Sequence, residues 1–233
     1  MNRAGTLAAI SAVLMLALPA PGQETSRLAG HLAAGKAQVV VTYGTSLTAG
    51  GAWVGQLQDT LKAKYPGLAT VINSGQGGMW SKWGVDNLDA RVLKKKPDCV
   101  FIEFAINDAF LKYATSVEAA RTNLCTMIDR ILQSKAETEI VLMTMDPPTG
   151  VHLERRPKIE DYYQMYRDVA KERKLRLIDH EPNWKKILDQ DKALFSKLVP
   201  DGIHPGPEGC SKVITPEILK AMGLPVRVVV QVK

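Results

Sequence analysis

Short runs rich in β-branched and other apolar residues alternate along the chain with stretches whose apolar residues recur every three or four positions. The short runs predict β-strands at Ala37–Tyr43, Ala69–Asn73, Asp98–Phe104, Glu139–Met145 and Leu175–Asp179. The helical spacing predicts helices at Trp53–Lys64, about Val85–Lys95, Ser116–Ser134 and Ile159–Arg173, and a closing helix from Pro207 onward. Strands separated by helices favour a parallel sheet covered on both faces. The predicted fold class is therefore α/β, a three-layer α/β/α sandwich with a five-stranded parallel sheet.

The first residues have a different pattern. A positive start at Arg3 precedes an apolar run from Leu7 to Leu18, which is too short to span a membrane, and small residues follow it. This pattern predicts a secretory signal peptide at residues 1–22, with a membrane-anchoring helix as the alternative. Cleavage leaves residues 23–233 as one domain, and we expect it to be secreted or periplasmic without stable membrane insertion.

Composition excludes several classes of protein. With 45% hydrophobic and 23% charged residues among 233, the chain is neither disordered nor collagen-like. The net charge of +6 is spread along the sequence, and its longest basic run, Lys94–Lys96, is typical of a solvated helix end, so no nucleic acid is expected as a partner. The cysteines at 99, 125 and 210 lack the C-x-x-C spacing of a zinc or redox site, and at most one pair of them can form a disulfide.

Ligands of open parallel sheets bind at the carboxyl ends of the strands, so the residues after each predicted strand are the candidates for a binding or catalytic site. Ser46 follows the first strand within Gly44–Gly51, where a helix would begin. The segment lacks the Lys-Ser or Lys-Thr of a phosphate loop, and Thr48 replaces the second glycine of a G-x-S-x-G elbow. Taken alone, this segment favours Ser46 as only a helix cap.

An acidic residue and a histidine lie three positions apart near the other end of the chain, in Asp201-Gly-Ile-His204-Pro205. A carboxylate at this spacing can hold one imidazole nitrogen while the other takes a proton from a serine hydroxyl. His31 and His152 lie in less suitable segments. His180 follows the fifth strand and is the main rival, but its surroundings favour a structural role.

Two further strand ends carry hydrogen-bond donors. The glycine-rich Asn73–Gly78 follows the second strand and can present a backbone N–H, while Asn107 follows the third strand and offers a side-chain amide. Donors of both kinds can stabilise the oxyanion that forms during acyl transfer.

These four segments, in this order, resemble the blocks of the SGNH (GDSL-type) hydrolase superfamily, from about Val39 to the helix after Gly209. Ser46 resembles the nucleophile, Asp201 and His204 match the D-x-x-H-P block, and Ser46, Gly78 and Asn107 resemble the oxyanion donors. The resemblance implies a flavodoxin-like fold and catalysis without a metal or organic cofactor. Thr45 departs from the carboxylate of G-D-S-L, and Ala105 departs from the glycine of G-x-N-D.

The function predicted from this resemblance is a secreted serine esterase that removes short acyl groups, with an acetylated saccharide as its partner. Trp53, Trp80 and Trp83 are candidates to stack on sugar rings, although packing in the core is the equal alternative for each of them. The methyl group of Ala105 is expected to narrow the acyl site. The alternatives are a lysophospholipase or thioesterase and a non-catalytic carbohydrate-binding relative.

Overall fold

Five parallel strands form the centre of the structure, a computed structural model that describes residues 25–225; the predicted signal peptide lies outside the described residues. The strands are β1 (Gln38–Gly44), β2 (Ala69–Asn73), β3 (Cys99–Glu103), β4 (Glu139–Met143) and β5 (Arg176–Ile178). They pair in the order β2-β1-β3-β4-β5, and every pair is parallel. The predicted α/β fold with a five-stranded parallel sheet is confirmed.

Helices cover the sheet and connect its strands. They are α1 (Arg27–Ala33), α2 (Ser46–Ala49), α3 (Ala52–Lys64), α4 (Ser81–Arg91), α5 (Ala105–Asp108), α6 (Val117–Ser134), α7 (Val151–Glu154), α8 (Ile159–Arg173), α9 (Glu181–Gln190), α10 (Lys192–Leu198), α11 (Pro207–Gly209) and α12 (Thr215–Ala221). Short 3₁₀ turns occur at Leu93–Lys95 and Leu111–Tyr113. None of the helices in the described part of the chain is long and apolar enough to cross a membrane.

Side chains of adjacent strand residues point to opposite faces of the sheet, and this alternation assigns the helices to two layers. Tyr43 of β1 packs against Trp83 of α4, whereas Phe101 of β3 packs against Trp53 of α3. Phe101 lies opposite Thr42 in the register, so its side chain and that of Tyr43 point to different faces. Helices α4, α6 and α8 pack in sequence on one face, and α3 and α12 pack together on the other.

The predicted boundaries of helices and strands agree best with the structure where the residues that determine them are close together in the sequence. Helix α6 begins one residue after Ser116, whose hydroxyl accepts the Ala119 N–H and so caps the helix. The predicted start of α4 at Val85 is wrong: this helix begins at Ser81, because the carboxylate of Asp108 accepts the Ser81 N–H across 2.9 Å. That cap comes from a residue 27 positions away, and a local pattern cannot reveal it.

The closing segment is interrupted where one continuous helix was predicted. A π-helical turn at Cys210–Ile214 separates α11 from α12. Such turns insert an extra residue into the helical ladder and change the direction of the side chains that follow. Cys99, Cys125 and Cys210 are all free thiols.

The strand order reverses direction between β1 and β3, since β2 lies outside β1 while β3, β4 and β5 follow on its other side. Loops diverge at such a switch point and leave a crevice at the carboxyl ends of the strands. The segment with Ser46 leaves β1 and the segment with Asn107 leaves β3, so both open into this crevice.

Candidate active site

A chain of hydrogen bonds connects the serine after β1 to the carboxylate near α11. Ser46 Oγ lies 2.9 Å from His204 Nε2, and His204 Nδ1 lies 2.6 Å from Asp201 Oδ2. Because an ionised carboxylate only accepts, Nδ1 of a neutral imidazole carries the proton and Nε2 is the acceptor for the serine hydroxyl. A serine hydroxyl in this arrangement can lose its proton to the imidazole as it attacks an electrophile.

The turn from Asp201 to His204 is stabilised by hydrogen bonds within the turn and by one hydrogen bond from another segment of the chain. Asp201 Oδ1 accepts the backbone N–H groups of Ile203 and His204, and the Gly202 carbonyl accepts the Thr149 N–H. Partial burial raises the pKa of Asp201, but the hydrogen bonds from the His204 side chain and from the two N–H groups outweigh it and bring the pKa to about 2. The carboxylate is therefore ionised throughout the neutral range.

The loop that carries the nucleophile is anchored by a carboxylate that the sequence reasoning missed. Glu103, the last residue of β3, accepts the Thr45 N–H at 2.7 Å, the Thr48 hydroxyl at 2.6 Å and the Thr45 hydroxyl at about 3 Å. The Thr45 hydroxyl also accepts the Leu47 N–H and thereby caps α2. A carboxylate from the adjacent strand therefore lies behind the nucleophile loop, where Thr45 replaces the carboxylate of the G-D-S-L pattern.

The fit between Glu103 and the first strand requires glycine at position 44. A Cβ atom on Gly44 would lie 2.2 Å from a Glu103 carboxyl oxygen, so any larger residue would displace the side chain. Burial raises the pKa of Glu103 to about 7, although the hydrogen bonds from Thr48 and Thr45 oppose that shift.

Three residues that follow β1, β2 and β3, at one edge of the sheet, carry N–H groups that could serve as oxyanion donors: Ser46, Gly78 and Asn107. Within the described residues, the backbone N–H groups of Ser46 and Gly78 have no acceptor. Gly78 adopts a positive φ of 70°, and it is exposed. Asn107 Nδ2 donates one hydrogen to the Met79 carbonyl at 2.8 Å and retains a second one. Donors left open in this way can accept the negative charge of an oxyanion.

An aromatic pair borders the loop that carries Gly78. The Tyr113 hydroxyl donates to the Gly78 carbonyl, and the rings of Trp80 and Tyr113 are stacked, with centroids 4.5 Å apart and planes inclined by 13°. Both side chains are half-buried. Of the three predicted tryptophans, Trp80 is thus the one that the structure places next to a predicted oxyanion donor.

A cavity of about 310 Å³ opens beside the Ser46 and His204 side chains. Its other walls are small or apolar and come from α2, the α2–α3 connection, the loop after β2, the residue after His204 and the π-helical turn: Leu47, Ala49, Gly50, Gly51, Gly77, Pro205, Cys210 and Ile214. Its volume is at the lower end of the roughly 300–1,000 Å³ typical of small-molecule sites. The cavity therefore suits a small apolar group attached to the reacting centre.

Of the predicted substrate contacts, the structure buries Trp53 and Ala105 and packs the partly buried Trp83 against the core. Trp53 is 1% exposed, and its Nε1–H donates to the Leu47 carbonyl, so it supports α2 from inside and cannot stack on a sugar. Trp83 packs against Tyr43 and is covered by the Arg91 guanidinium. Ala105 is 2% exposed at the start of α5 and does not line the cavity, so its methyl group cannot narrow that space.

The rival histidine lies away from these groups. His180 is fully buried, and its Nδ1 contacts the carboxylate of Glu217 on α12. The structure brings His204, and not His180, to the Ser46 hydroxyl. In residues 25–225, no group of three or more His, Cys, Asp or Glu side chains is arranged to hold a metal ion.

The sequence pattern also did not identify Tyr113 and Arg156 as residues near the site. Glu103 could have been recognised from the sequence, whereas Arg156 could not. A carboxylate inside the apolar run Cys99–Phe104 is a readable signal, because a charge within a buried strand needs partners. Arg156 lies beside Arg155 in a polar segment, where the sequence offers no sign that one of them is buried. Arg156 is buried and Arg155 is exposed.

Comparisons with known proteins agree with this geometry. The GDSL-like lipase/acylhydrolase family matches residues 41–211. Among curated proteins, the chain is 28% identical over 208 residues to the uncharacterized lipoprotein YqeF of Bacillus subtilis strain 168, covering 73% of this chain and 84% of that protein.

Two solved structures share the fold over most of their length. A catalytic mutant of Axe2, an acetylxylan esterase from Geobacillus stearothermophilus, has a TM-score of 0.69 at 22% identity and covers 82% of this chain and 97% of its own. The lipase/acylhydrolase from Enterococcus faecalis has a TM-score of 0.64 at 27% identity, with coverage of 79% and 92%.

Proposed function

Since the chain belongs to the GDSL-like lipase/acylhydrolase family and is an ester hydrolase, we propose that it is an exported serine esterase that removes acetyl groups from carbohydrate through an acyl-enzyme. The observation that carries this proposal is the hydrogen-bonded row Ser46–His204–Asp201, and the open N–H donors of Ser46, Gly78 and Asn107 at the same edge of the sheet support it. Ser46 is then the nucleophile, His204 the general base and Asp201 the group that orients the imidazole.

The proposed reaction has two stages, acylation of the serine and hydrolysis of the acyl-enzyme. Ser46 Oγ attacks the ester carbonyl carbon as its proton passes to His204 Nε2, and the carbonyl oxygen becomes an oxyanion held by the N–H groups of Ser46, Gly78 and Asn107. When the intermediate collapses, His204 gives the proton to the departing alcohol, which leaves an acyl group on Ser46. A water molecule, deprotonated by His204, then attacks the acyl-enzyme, releases the carboxylic acid and restores the serine.

The carbohydrate part of the proposal rests on two observations. Axe2, which shares the fold, is an acetylxylan esterase. The stacked Trp80–Tyr113 pair offers partly exposed aromatic surface next to Gly78, where the alcohol part of an ester bound to the oxyanion donors could lie. Export is supported by the signal-peptide pattern of residues 1–22 and by the likeness to a lipoprotein.

A second candidate function is favoured by the cavity. Its volume of about 310 Å³ exceeds that of an acetyl group, and its walls are largely apolar, so a medium-length acyl chain also fits. An esterase for lipid-like substrates would use the same nucleophile with a different substrate preference.

A series of esters with one alcohol and increasing acyl length distinguishes the two candidates. For the acetylesterase we expect kcat/KM to fall steeply from acetyl to butyryl to octanoyl p-nitrophenyl esters, and we expect acetate release from acetylated xylo-oligosaccharide. Ser46→Ala should abolish both reactions, whereas the exposed Ser134→Ala control should retain them. A preference for octanoyl esters would reject the acetylesterase and support the lipid esterase.

A further inference from the structure

A buried guanidinium lies directly behind the side-chain oxyanion donor. Arg156, which follows α7, is 5% exposed, and its Nη2 donates to Asn107 Oδ1 at 3.2 Å. Its Nε donates to the Ile106 carbonyl at 2.7 Å and its Nη1 to the His152 carbonyl at 3.3 Å. The Phe110 ring lies 4.5 Å from the guanidinium carbon and covers one face of it.

These contacts determine which end of the Asn107 amide faces the site. A guanidinium can only donate and the Met79 carbonyl can only accept, so the amide oxygen must face Arg156 and the amide nitrogen must face Met79. The second hydrogen of Nδ2 is thereby kept available. Without Arg156, only the Met79 carbonyl favours this orientation of the amide, so the orientation is held less firmly and the free N–H is less well directed toward an oxyanion.

The arrangement also has an electrostatic consequence. No carboxylate forms an ion pair with Arg156 among the described residues, so its charge is balanced only by carbonyl and amide oxygens and by the Phe110 ring. A cation that hydrogen-bonds the oxygen of an amide draws electron density away from the amide nitrogen and strengthens that N–H as a donor. In a buried setting such a charge is weakly screened.

From this geometry, and on the basis of the proposed esterase function, we propose that Arg156 is a positioning residue for the oxyanion site. It acts through Asn107 by fixing the orientation of the amide and by polarising its free N–H toward the developing negative charge. Arg156 itself touches neither the substrate nor the reacting atoms.

A double-mutant cycle on kcat tests this coupling, with p-nitrophenyl acetate as the substrate. Asn107→Ala should lower kcat roughly 100-fold to 1,000-fold. Arg156→Met should lower kcat about tenfold with KM changed less than about twofold, because only the transition state gains from the oriented donor. In the Asn107→Ala background, Arg156→Met should have almost no further effect, since the group on which it acts is absent.

The controls separate positioning from a general structural role. Arg155→Met, at the exposed neighbour, should leave kcat unchanged. Arg156→Lys keeps the charge but loses the fork of donors, so its kcat should lie between those of the wild type and Arg156→Met. A trifluoromethyl ketone inhibits serine esterases because the serine adds to its carbonyl carbon and forms an oxyanion. Its inhibition of Arg156→Met should weaken in parallel with kcat.

Several outcomes would overturn the proposal. Equal fold losses from Arg156→Met in both backgrounds would show a structural effect independent of Asn107. Failure of both Arg156→Met and Arg156→Lys to fold would assign the residue to stability alone. Failure of the esterase function would appear differently, as wild-type protein without Ser46-dependent turnover.

Discussion

At the scale of single residues, the position relative to Ser46 distinguishes the two histidines that are candidates for the general base. His204 lies within hydrogen-bonding distance of Ser46, whereas His180 is fully buried against Glu217. We therefore expect His204→Ala to lose nearly all esterase activity and His180→Gln to retain most of it, as measured by kcat/KM for p-nitrophenyl acetate. The reverse pattern would place the general base at the end of β5.

A second prediction at this scale concerns the carboxylate behind the nucleophile. Glu103 accepts hydrogen bonds from the Thr45 backbone and from the Thr45 and Thr48 hydroxyls, and a glutamine cannot accept at both ends of its side chain. Glu103→Gln should therefore loosen the loop of Ser46 and lower kcat by about one to two orders of magnitude, since small displacements of a nucleophile are costly.

The matched control is Glu139→Gln, because Glu139 is also a buried glutamate on a strand but lies at the first residue of β4, at the opposite end of the sheet. It should leave kcat unchanged. Unaltered kcat in Glu103→Gln itself would show that Thr45 alone is enough to hold the nucleophile loop.

The sequence pattern identifies the proposed catalytic residues more readily than the residues that surround them. Ser46, Gly78 and Asn107 follow strands, and strand ends can be recognised from local patterns. Whether a tryptophan faces solvent or the core depends on residues far away in the chain, which is why Trp53 and Trp83 were assigned to substrate as readily as Trp80. The burial of Arg156 likewise depends on residues far away in the chain.

At the scale of elements, secondary structure was predictable wherever its signals were local. The bounds of β2 and α8 agree with the sequence pattern at both ends, and α6 differs by one residue. Strand β4 is two residues shorter than predicted, because Thr144 and Met145 continue its composition beyond the paired segment, and β5 is one residue shorter at each end. The interruption of the closing helix by a π-helical turn has no sequence signature, and this turn provides two walls of the cavity.

The cavity between α2 and the π-helical turn leads to a prediction about acyl length. Ala49 ends α2 and is an exposed part of the cavity lining, so Ala49→Phe should fill this space without disturbing the core. If the cavity holds the acyl group, the substitution should lower kcat/KM for butyryl and octanoyl esters more than for acetyl esters.

The control for this substitution is Ala33→Phe, because Ala33 also ends a helix and is exposed but lies on α1, outside the cavity lining. It should change none of the rates. Equal losses from Ala49→Phe at every acyl length would show that the cavity does not receive the acyl chain.

At the scale of the whole molecule, three buried carboxyl groups make stability depend on pH. Burial raises the pKa of Glu103 and of Asp108 to about 7 and raises the pKa of Asp146 well above its usual value. Both carboxyl oxygens of Asp146 lack a hydrogen-bond partner among the described residues. These groups keep their protons in the folded state at pH values where the unfolded chain has lost them.

The sign of the effect follows from proton linkage. Between about pH 5 and pH 7 the folded protein binds more protons at these sites than the unfolded chain does, so the free energy of unfolding falls as pH rises. Each such group contributes a slope of about 1.4 kcal/mol per pH unit while it is protonated only in the folded state. The lowered pKa of Asp201 acts in the opposite direction, but only at pH values below about 4.

Urea unfolding at pH 5 and at pH 7 measures this dependence. Asp146→Asn should flatten the decline relative to the wild type, and the difference between the two proteins isolates this group from the other titratable groups. A variant with the same slope as the wild type would show that Asp146 ionises normally in the folded protein.

The central claim is that Ser46 is the nucleophile of an acyl-enzyme. Its most direct test is labelling with a fluorophosphonate, which reacts with activated serines, followed by peptide mass spectrometry. We predict one label per chain, on the peptide that carries Ser46, with esterase activity lost in proportion to labelling. A label on another residue, or full activity after Ser46 is labelled, would contradict the account.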